Sequence, residues 1–154
     1  MQSSWKYLFL LSLLHSAYGN FEKEDVSSIS SGLSFGMCRG YCQQFVNATS
    51  NPVQLSAVKQ PNSADISFPP LRQTFSFSLN QWEELLALVS PNVFSKLADT
   101  IGCPGCADGG IEWIQIDWKD GSKRVTFESR RTIKGIEGLI DKLRKMREEY
   151  LPQF

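Results

Sequence analysis

Residues 111–128, IEWIQIDWKDGSKRVTFE, decide the fold class of this chain because they carry the pattern of a β-hairpin. Asp120-Gly121 is a strong signal for a two-residue type I′ turn. With those two residues as the loop, apolar side chains face each other on one side of the hairpin and polar or oppositely charged ones on the other. The pairs in this predicted register are Ile116 with Val125, Ile114 with Phe127, Asp117 with Arg124, and Gln115 with Thr126. The stretch therefore predicts an antiparallel sheet with one buried face.

A first amphipathic helix is predicted before this hairpin. Ser78 or Asn80 can cap the helix, and Gln81 or Glu83, three residues further on in either register, can complete a capping box. Its apolar stripe has helical spacing and consists of Trp82, Leu85, Leu86 and Val89.

A second amphipathic helix follows the hairpin. Its apolar positions recur at helical spacing up to Pro152 and are Ile136, Leu139, Ile140, Leu143, Met146 and Tyr150. Arg144, Lys145 and Arg147 give this helix a basic outer face. We expect that face to lie in solvent, where it complements the negative end of the helix dipole.

These elements predict a single α+β domain over residues 32–154, in which an antiparallel β-sheet carries two amphipathic helices packed on one face. Residues 20–31 are polar and Ser-rich, so we expect them to form a flexible N-terminus. The chain has 154 residues and is 42% hydrophobic, which suits one domain with a real core.

Residues 1–19 have the pattern of a signal peptide. Lys6 precedes the short apolar run YLFLLSLL, and the small residues Ala17 and Gly19 stand at −3 and −1 of a predicted cleavage site. Cleavage there would also remove His15, the one histidine of the chain. A mature chain without imidazole excludes Ser-His-Asp and Cys-His catalysis and the His-containing zinc sites of secreted hydrolases.

The charge balance excludes further classes of function. The formal net charge is +0, so we predict no nucleic-acid partner held by a basic field. No run of about 18 apolar residues occurs, so we predict no membrane span. The charges are unevenly distributed: residues 83–120 contain seven acids and two bases, whereas residues 121–149 contain nine bases and five acids.

Four cysteines occur as two close pairs, Cys38-x3-Cys42 and Cys103-x2-Cys106. In an exported chain, oxidation to two disulfides is the usual outcome, although the spacing also allows a four-thiolate zinc site. Three connectivities are possible, and the sequence does not choose among them. Loop-closure entropy favours bridges between the pairs, because closing a loop of roughly 60 residues raises the free energy of the unfolded chain by about 4 kcal/mol. Local bridges within each pair remain an alternative.

Three further motifs have weaker signals. Cys103-Pro104-Gly105-Cys106 has the spacing of a thioredoxin-type redox motif, but it follows a helix and leads into a turn, which favours a structural role. Asn47-Ala48-Thr49 is an N-glycosylation sequon. Asp99, Asp108 and Glu112 could offer oxygens to Ca²⁺, but they lack the spacing of an EF-hand loop and fit solvated loop acids better.

The loop Cys38-Arg39-Gly40-Tyr41-Cys42 and the later segment Gly102-Cys103-Pro104-Gly105-Cys106-Ala107-Asp108-Gly109-Gly110 carry a resemblance. Here the chain resembles a family of uncharacterised exported or lipid-anchored bacterial domains with a Cys-x-Gly-x-Cys loop. The order of the predicted elements over residues 31–149 is similar to theirs, but the signal segment has no lipid-attachment cysteine. The resemblance implies a fold and implies no function.

The sequence therefore predicts a secreted, disulfide-bonded, non-catalytic module that binds an unknown extracellular partner or is part of a matrix, including the organic matrix of a shell or skeleton. The long Asp runs of a protein that templates mineral are absent. No cofactor is predicted. The alternatives are a thiol-disulfide redox protein that uses Cys103 and Cys106, and a Ca²⁺-dependent binder that uses Asp99, Asp108 and Glu112.

Overall fold

A computed structural model describes residues 21–154 and has the mixed α+β fold that the sequence predicts. The predicted signal peptide, residues 1–19, lies outside the described residues. The strands are β1 Val26–Ser34, β2 Gln43–Ser50, β3 Val53–Gln60, β4 Leu71–Phe75, β5 Thr100–Ile101, β6 Ile111–Trp118 and β7 Gly121–Glu128. The α-helices are α1 Leu79–Ala87, α2 Pro91–Phe94 and α3 Glu137–Tyr150. Short 3-10 turns occupy Lys23–Asp25, Cys106–Asp108 and Leu151–Gln153.

The seven strands form one sheet in the order β4-β3-β2-β1-β6-β7-β5. Neighbouring strands are antiparallel except at one edge, where β5 runs parallel to β7. The prediction of a purely antiparallel sheet is wrong at that edge. β5 and β7 are not consecutive strands: β6 lies between them in sequence and runs antiparallel to β7, which lets β5 run in the direction of β7.

The segment predicted to be a flexible N-terminus contains most of the central strand. β1 begins at Val26 and pairs with β2 on one side and with β6 on the other. Ile29 is completely buried. The prediction for residues 20–31 is therefore wrong from Val26 onwards, because the five serines of β1 obscure the apolar alternation that would have indicated a strand.

The β6–β7 hairpin exists, but its register differs from the predicted one by two residues. Its loop is Lys119-Asp120, so Ile114 pairs with Val125 and Ile116 pairs with Lys123. A shift of two residues keeps every side chain on its predicted face, so the hydrophobic pattern could not distinguish the two registers.

Both predicted amphipathic helices form. Ser78 caps α1 and makes a complete capping box with Gln81, which settles the choice between the two predicted caps. The buried residues of α1 and α3 belong to the same hydrophobic core as the inward-facing residues of the central strands, such as Val46, Ile114 and Ile116. Within residues 21–154, no helix is both long and apolar enough to cross a membrane.

Candidate functional site

A buried glutamate, Glu112, is the first component of the candidate site. Side chains alternate across a strand, so Glu112 shares the core-facing side of β6 with Ile114 and Ile116. Glu112 pairs with Leu33 of β1 and with Phe127 of β7, and only 2% of its surface is exposed. A carboxylate buried among apolar neighbours is costly unless other groups bind it.

Two arginines of α3 bind this carboxylate. Arg144 and Arg147 are three residues apart and therefore lie on one side of the helix. Arg144 donates from Nε to Oε1 at 3.0 Å and from Nη2 to Oε2 at 2.7 Å, and Arg147 donates from Nη2 to Oε1 at 2.5 Å. Arg147 also donates from Nη1 to the Ser31 hydroxyl, and its residue surface is only 8% exposed.

The expectation that the basic face of α3 lies in solvent is therefore wrong for Arg144 and Arg147 and holds for Lys145, which is exposed. The reason is the inward position of Glu112, because a buried carboxylate is stabilised by planar donors that can form several hydrogen bonds.

Opposing effects act on the pKa of Glu112. Burial alone would raise the pKa, but hydrogen bonds from Arg144 and Arg147, together with their positive charges, outweigh it and hold the pKa of Glu112 below its ordinary value. The same contact raises the pKa of Arg144. The cluster is therefore fully ionised at neutral pH and contains two guanidinium groups for one carboxylate.

The cluster lies in an open cleft of about 680 Å³ next to the C-terminal half of α3. We call it the α3 cleft and define it by its charged residues and its apolar ones. The charged residues are Lys59, Asp108, Glu112, Arg130, Arg144, Arg147 and Glu148. The apolar residues are Leu33, Phe35, Leu151 and Pro152.

Residues that flank the two disulfide loops line this cleft. The bonds are local, Cys38–Cys42 and Cys103–Cys106, and not between the pairs as loop-closure entropy favours. Phe35 precedes the first loop and is hydrogen-bonded to it, since its amide donates to the Cys42 carbonyl at 3.1 Å. Asp108, Gly109 and Gly110 directly follow the second loop and line the cleft. A Cβ on Gly110 would lie 2.9 Å from Cε1 of Phe35, so the two segments touch at the mouth of the cleft.

The surroundings of Cys103 and Cys106 differ from those of a thioredoxin-type motif. Both residues are exposed, and Cys106 begins a 3-10 turn of three residues in place of an α-helix. The amide of Cys103 donates to Glu128 at 2.9 Å, and this bond and Arg131 lower the pKa of Glu128. No helix dipole is therefore directed at these sulfurs to activate a thiolate.

The three carboxylates considered for Ca²⁺ lie apart. Asp99 forms an ion pair with Lys123 at 3.1 Å, and Glu112 is bound by the two arginines. Asp108 lies at the cleft mouth, exposed. Within the described residues, no three His, Cys, Asp or Glu side chains come close enough to hold a metal ion. Asp99, Asp108 and Glu112 therefore do not form a common ligand set in residues 21–154.

The opposite side of the central strands presents a polar trough of about 590 Å³. Trp113 lies in it, 5.9 Å from the Phe45 ring and 4.0 Å from the Arg124 guanidinium. The sequon residue Asn47 lies in the same trough, near the middle of β2, and its Oδ1 is buried without a hydrogen-bond partner in residues 21–154. Glycosylation of Asn47 stays a prediction.

Comparison of the chain with models of known protein families finds no match, and comparison with curated proteins finds no significant match.

Sequence reasoning assigned Glu112 to a weak calcium set and placed Arg144 and Arg147 in solvent, and thus missed the cluster. Two signals could have identified it. Glu112 has the same alternating phase as Ile114 and Ile116, which places it on the buried face. The excess of acids in residues 83–120 and of bases in residues 121–149 favours ion pairs between these segments.

Proposed function

We propose that this chain is an exported, non-catalytic binding module and that the α3 cleft is its binding site. Export is supported by the signal-like segment 1–19, by the resemblance to exported domains and by the two disulfides, which are typical of oxidising compartments. Residues 20–154 contain no histidine, which supports a role other than imidazole-based catalysis. The proposal includes the predicted layer arrangement, with α1 and α3 on the same face of the sheet.

The observation that carries the proposal is that Phe35, which precedes the first disulfide loop, and residues 108–110, which follow the second, line one cleft and touch each other. Each bond closes a loop of only a few residues, so it restricts the unfolded chain much less than a long crosslink would. The main effect of these bonds is therefore local. They hold Phe35 on one side and Asp108, Gly109 and Gly110 on the other, and a rim held in one conformation costs less entropy when a ligand binds.

The shape and chemistry of the cleft support the same role. Its volume lies in the range of sites that bind small molecules, and its lining combines apolar side chains with a few convergent charged groups. The cluster has no nucleophile poised beside a base, because Glu112 is occupied by two arginines. This arrangement fits recognition better than covalent chemistry.

A screen that makes no assumption about the ligand tests the proposal. We would collect ¹H–¹⁵N spectra of the oxidised protein with a library of small polar and amphipathic compounds. We expect at least one compound to shift the amides of Gly109 and Gly110 and the Nε–H of Arg144. Compounds that shift only signals far from the α3 cleft, or a library that shifts nothing, would contradict the proposal.

A thiol-disulfide role for Cys103 and Cys106 is the second candidate function, because both cysteines are exposed. An insulin-reduction assay tests it, with Cys103→Ser as the matched control. Turnover that is lost in the variant would favour this candidate, and equal rates for both proteins would remove it. Extraction from an insoluble matrix, compared with recovery in the soluble fraction, tests the proposed place of the protein in a matrix.

A further inference from the structure

We infer that the α3 cleft binds an organic anion with a single carboxylate and an apolar body. The inference rests on the proposed function and names the chemical class of the ligand. The first step is the charge of the cleft. Its positive groups are Lys59, Arg130, Arg144 and Arg147, and its negative groups are Asp108, Glu112 and Glu148. Four positive and three negative groups leave an excess of one positive charge.

The Arg144–Arg147–Glu112 cluster at the buried end of the cleft itself carries one excess positive charge. Asp108, Arg130 and Glu148 are exposed at the rim of the cleft, where water screens them. The remaining cation, Lys59, donates to the main-chain oxygen of Phe154 and lies over its ring. Arg144 and Arg147 share one carboxylate below the rim, where the lower dielectric makes an unbalanced charge more costly. One further negative charge at this place would balance the cluster.

Donors remain for such an anion. A guanidinium has five N–H groups. Arg144 commits Nε and Nη2 to Glu112 and to the carbonyl of Arg131, and Nη1 donates to no atom of residues 21–154. The Arg144 side chain lines the cleft and keeps 23% of its surface exposed, so a ligand can reach it. A carboxylate is the planar partner that a guanidinium binds best.

The rest of the lining consists of apolar side chains, two glycines and the neutral polar side chains of Gln44 and Ser129. Leu33, Leu151 and Pro152 line the cleft, and Phe35 is 41% exposed at its mouth, which is a high value for a phenylalanine in a folded domain. These side chains give the ligand a surface on which to bury an apolar body. A doubly charged phosphate is a poorer fit, because its two negative charges would exceed the single positive excess of the Arg144–Arg147–Glu112 cluster and would lie near Glu112.

Four compounds test the contributions of the charged head group and of the apolar chain separately. They are hexanoate, hexanamide, acetate and inorganic phosphate. Hexanamide has the shape of hexanoate without its charge, and acetate has the head group without the chain. By calorimetry on the oxidised protein, we expect hexanoate to bind at least about tenfold more tightly than the other three. Hexanamide lacks the charge that strengthens a hydrogen bond from Arg144, and acetate and phosphate lack the chain that the apolar side chains bury. Equal affinity for hexanamide, or tighter binding of phosphate, would overturn the inference.

Two variants locate the contact. Arg144→Met should weaken hexanoate at least about tenfold. Lys145→Met, which removes an equal charge from an exposed position of the same helix, should leave the affinity unchanged. Phe35→Ala should weaken hexanoate about threefold or more and leave acetate unchanged, because Phe35 contacts the apolar body. Phe35 is exposed, so this variant remains informative if Arg144→Met does not fold. Hexanoate binding that neither variant alters would overturn the inference.

The outcomes distinguish the two proposals. If another class of compound shifts the signals of Arg144, Gly109 and Gly110 while hexanoate does not, the carboxylate inference is wrong and the binding role of the cleft stands. If no compound in the library shifts those signals, the proposed function itself is wrong.

Discussion

Gly32 and Trp113 are opposed across β1 and β6, and a Cβ on Gly32 would lie 2.5 Å from Cε2 and Cζ2 of the indole. The ring therefore occupies the space that any other side chain at position 32 would need. Phe45 and Arg124 approach the same indole, at 5.9 and 4.0 Å, and limit the directions in which it can move. Because the φ of Gly32 is not positive, the backbone conformation does not require glycine at this position. The central strand contains glycine here because the Trp113 ring packs where a side chain would otherwise lie.

Gly32→Ala should lower the free energy of unfolding by about 1–3 kcal/mol, because the added methyl group displaces the Trp113 ring. Urea denaturation measures the loss. Gly36→Ala is the matched control, because Gly36 is exposed and a Cβ there meets no atom within 4 Å. Equal stability of the two variants would contradict this account of Gly32.

Ile116→Ala should destabilise the protein by about 2–5 kcal/mol, because Ile116 is completely buried in the hydrophobic core and its truncation leaves a cavity. Thermal and urea unfolding measure the effect. Ile66→Ala makes the same chemical change at a residue that is 99% exposed, and it should change stability by less than about 0.5 kcal/mol. A loss below that limit at Ile116 would place it outside the core.

The hairpin shows how much of the fold the sequence could predict. Its existence and its buried face followed from alternation, but its register did not, since a two-residue shift preserves both faces. The observed register depends on tertiary contacts. The backbone amide of Lys119 in the loop donates to the carbonyl of Asp25, just before β1, at 3.0 Å. The local sequence of the hairpin gives no information about contacts with distant segments of the chain.

The same limit explains why β1 and the charged cluster were missed. A Ser-rich strand has weak apolar alternation, so β1 is recognisable only from its two neighbours. In the sequence pattern of α3, Arg147 is indistinguishable from a solvent-exposed residue of a basic helix. Only the folded sheet brings Glu112 of β6 into contact with it. The helical stripes were predicted well because the periodicity of α1 and α3 is local.

The Glu112 cluster should make stability depend on acidic pH. The pKa of Glu112 is lowered in the folded state, so the unfolded chain takes up this proton at a higher pH than the folded one. Its contribution is complete above the ordinary carboxyl pKa of about 4.3 and is lost as the pH falls through the lower, folded value. We therefore expect the stability gap between the wild type and Glu112→Gln to be largest at pH 7 and to shrink below about pH 4.

Glu83→Gln is the control for this titration. Glu83 is an exposed residue of α1, and its substitution should leave the acidic part of the stability curve parallel to that of the wild type. Urea denaturation at a series of pH values measures both variants. A stability gap for Glu112→Gln that is constant from pH 7 to pH 3 would show that the carboxylate does not titrate as proposed.

The two disulfides should contribute modestly to global stability. Each closes a loop of a few residues, and the chain-entropy relation gives about 2 kcal/mol for such a loop, against about 4 kcal/mol for a bridge between the pairs. We expect the paired substitutions Cys38→Ser/Cys42→Ser and Cys103→Ser/Cys106→Ser each to cost no more than about 2 kcal/mol. Hydrogen exchange should rise mainly at Phe35 and Gly110. Global unfolding of either variant would contradict a local role.

Asn47 should be a position where the native residue costs stability. Its Oδ1 is buried without a partner in the described chain, between the opposed residues Ser30 and Ser56. In protein made without glycans, Asn47→Thr should be neutral or stabilise by up to about 1 kcal/mol, because it removes the unpaired acceptor and adds a side chain that suits a strand. Asn47→Asp keeps the size and adds a half-buried charge, so it should destabilise. Both are measured by urea denaturation, and a large loss in Asn47→Thr would mean that the amide has a partner outside residues 21–154.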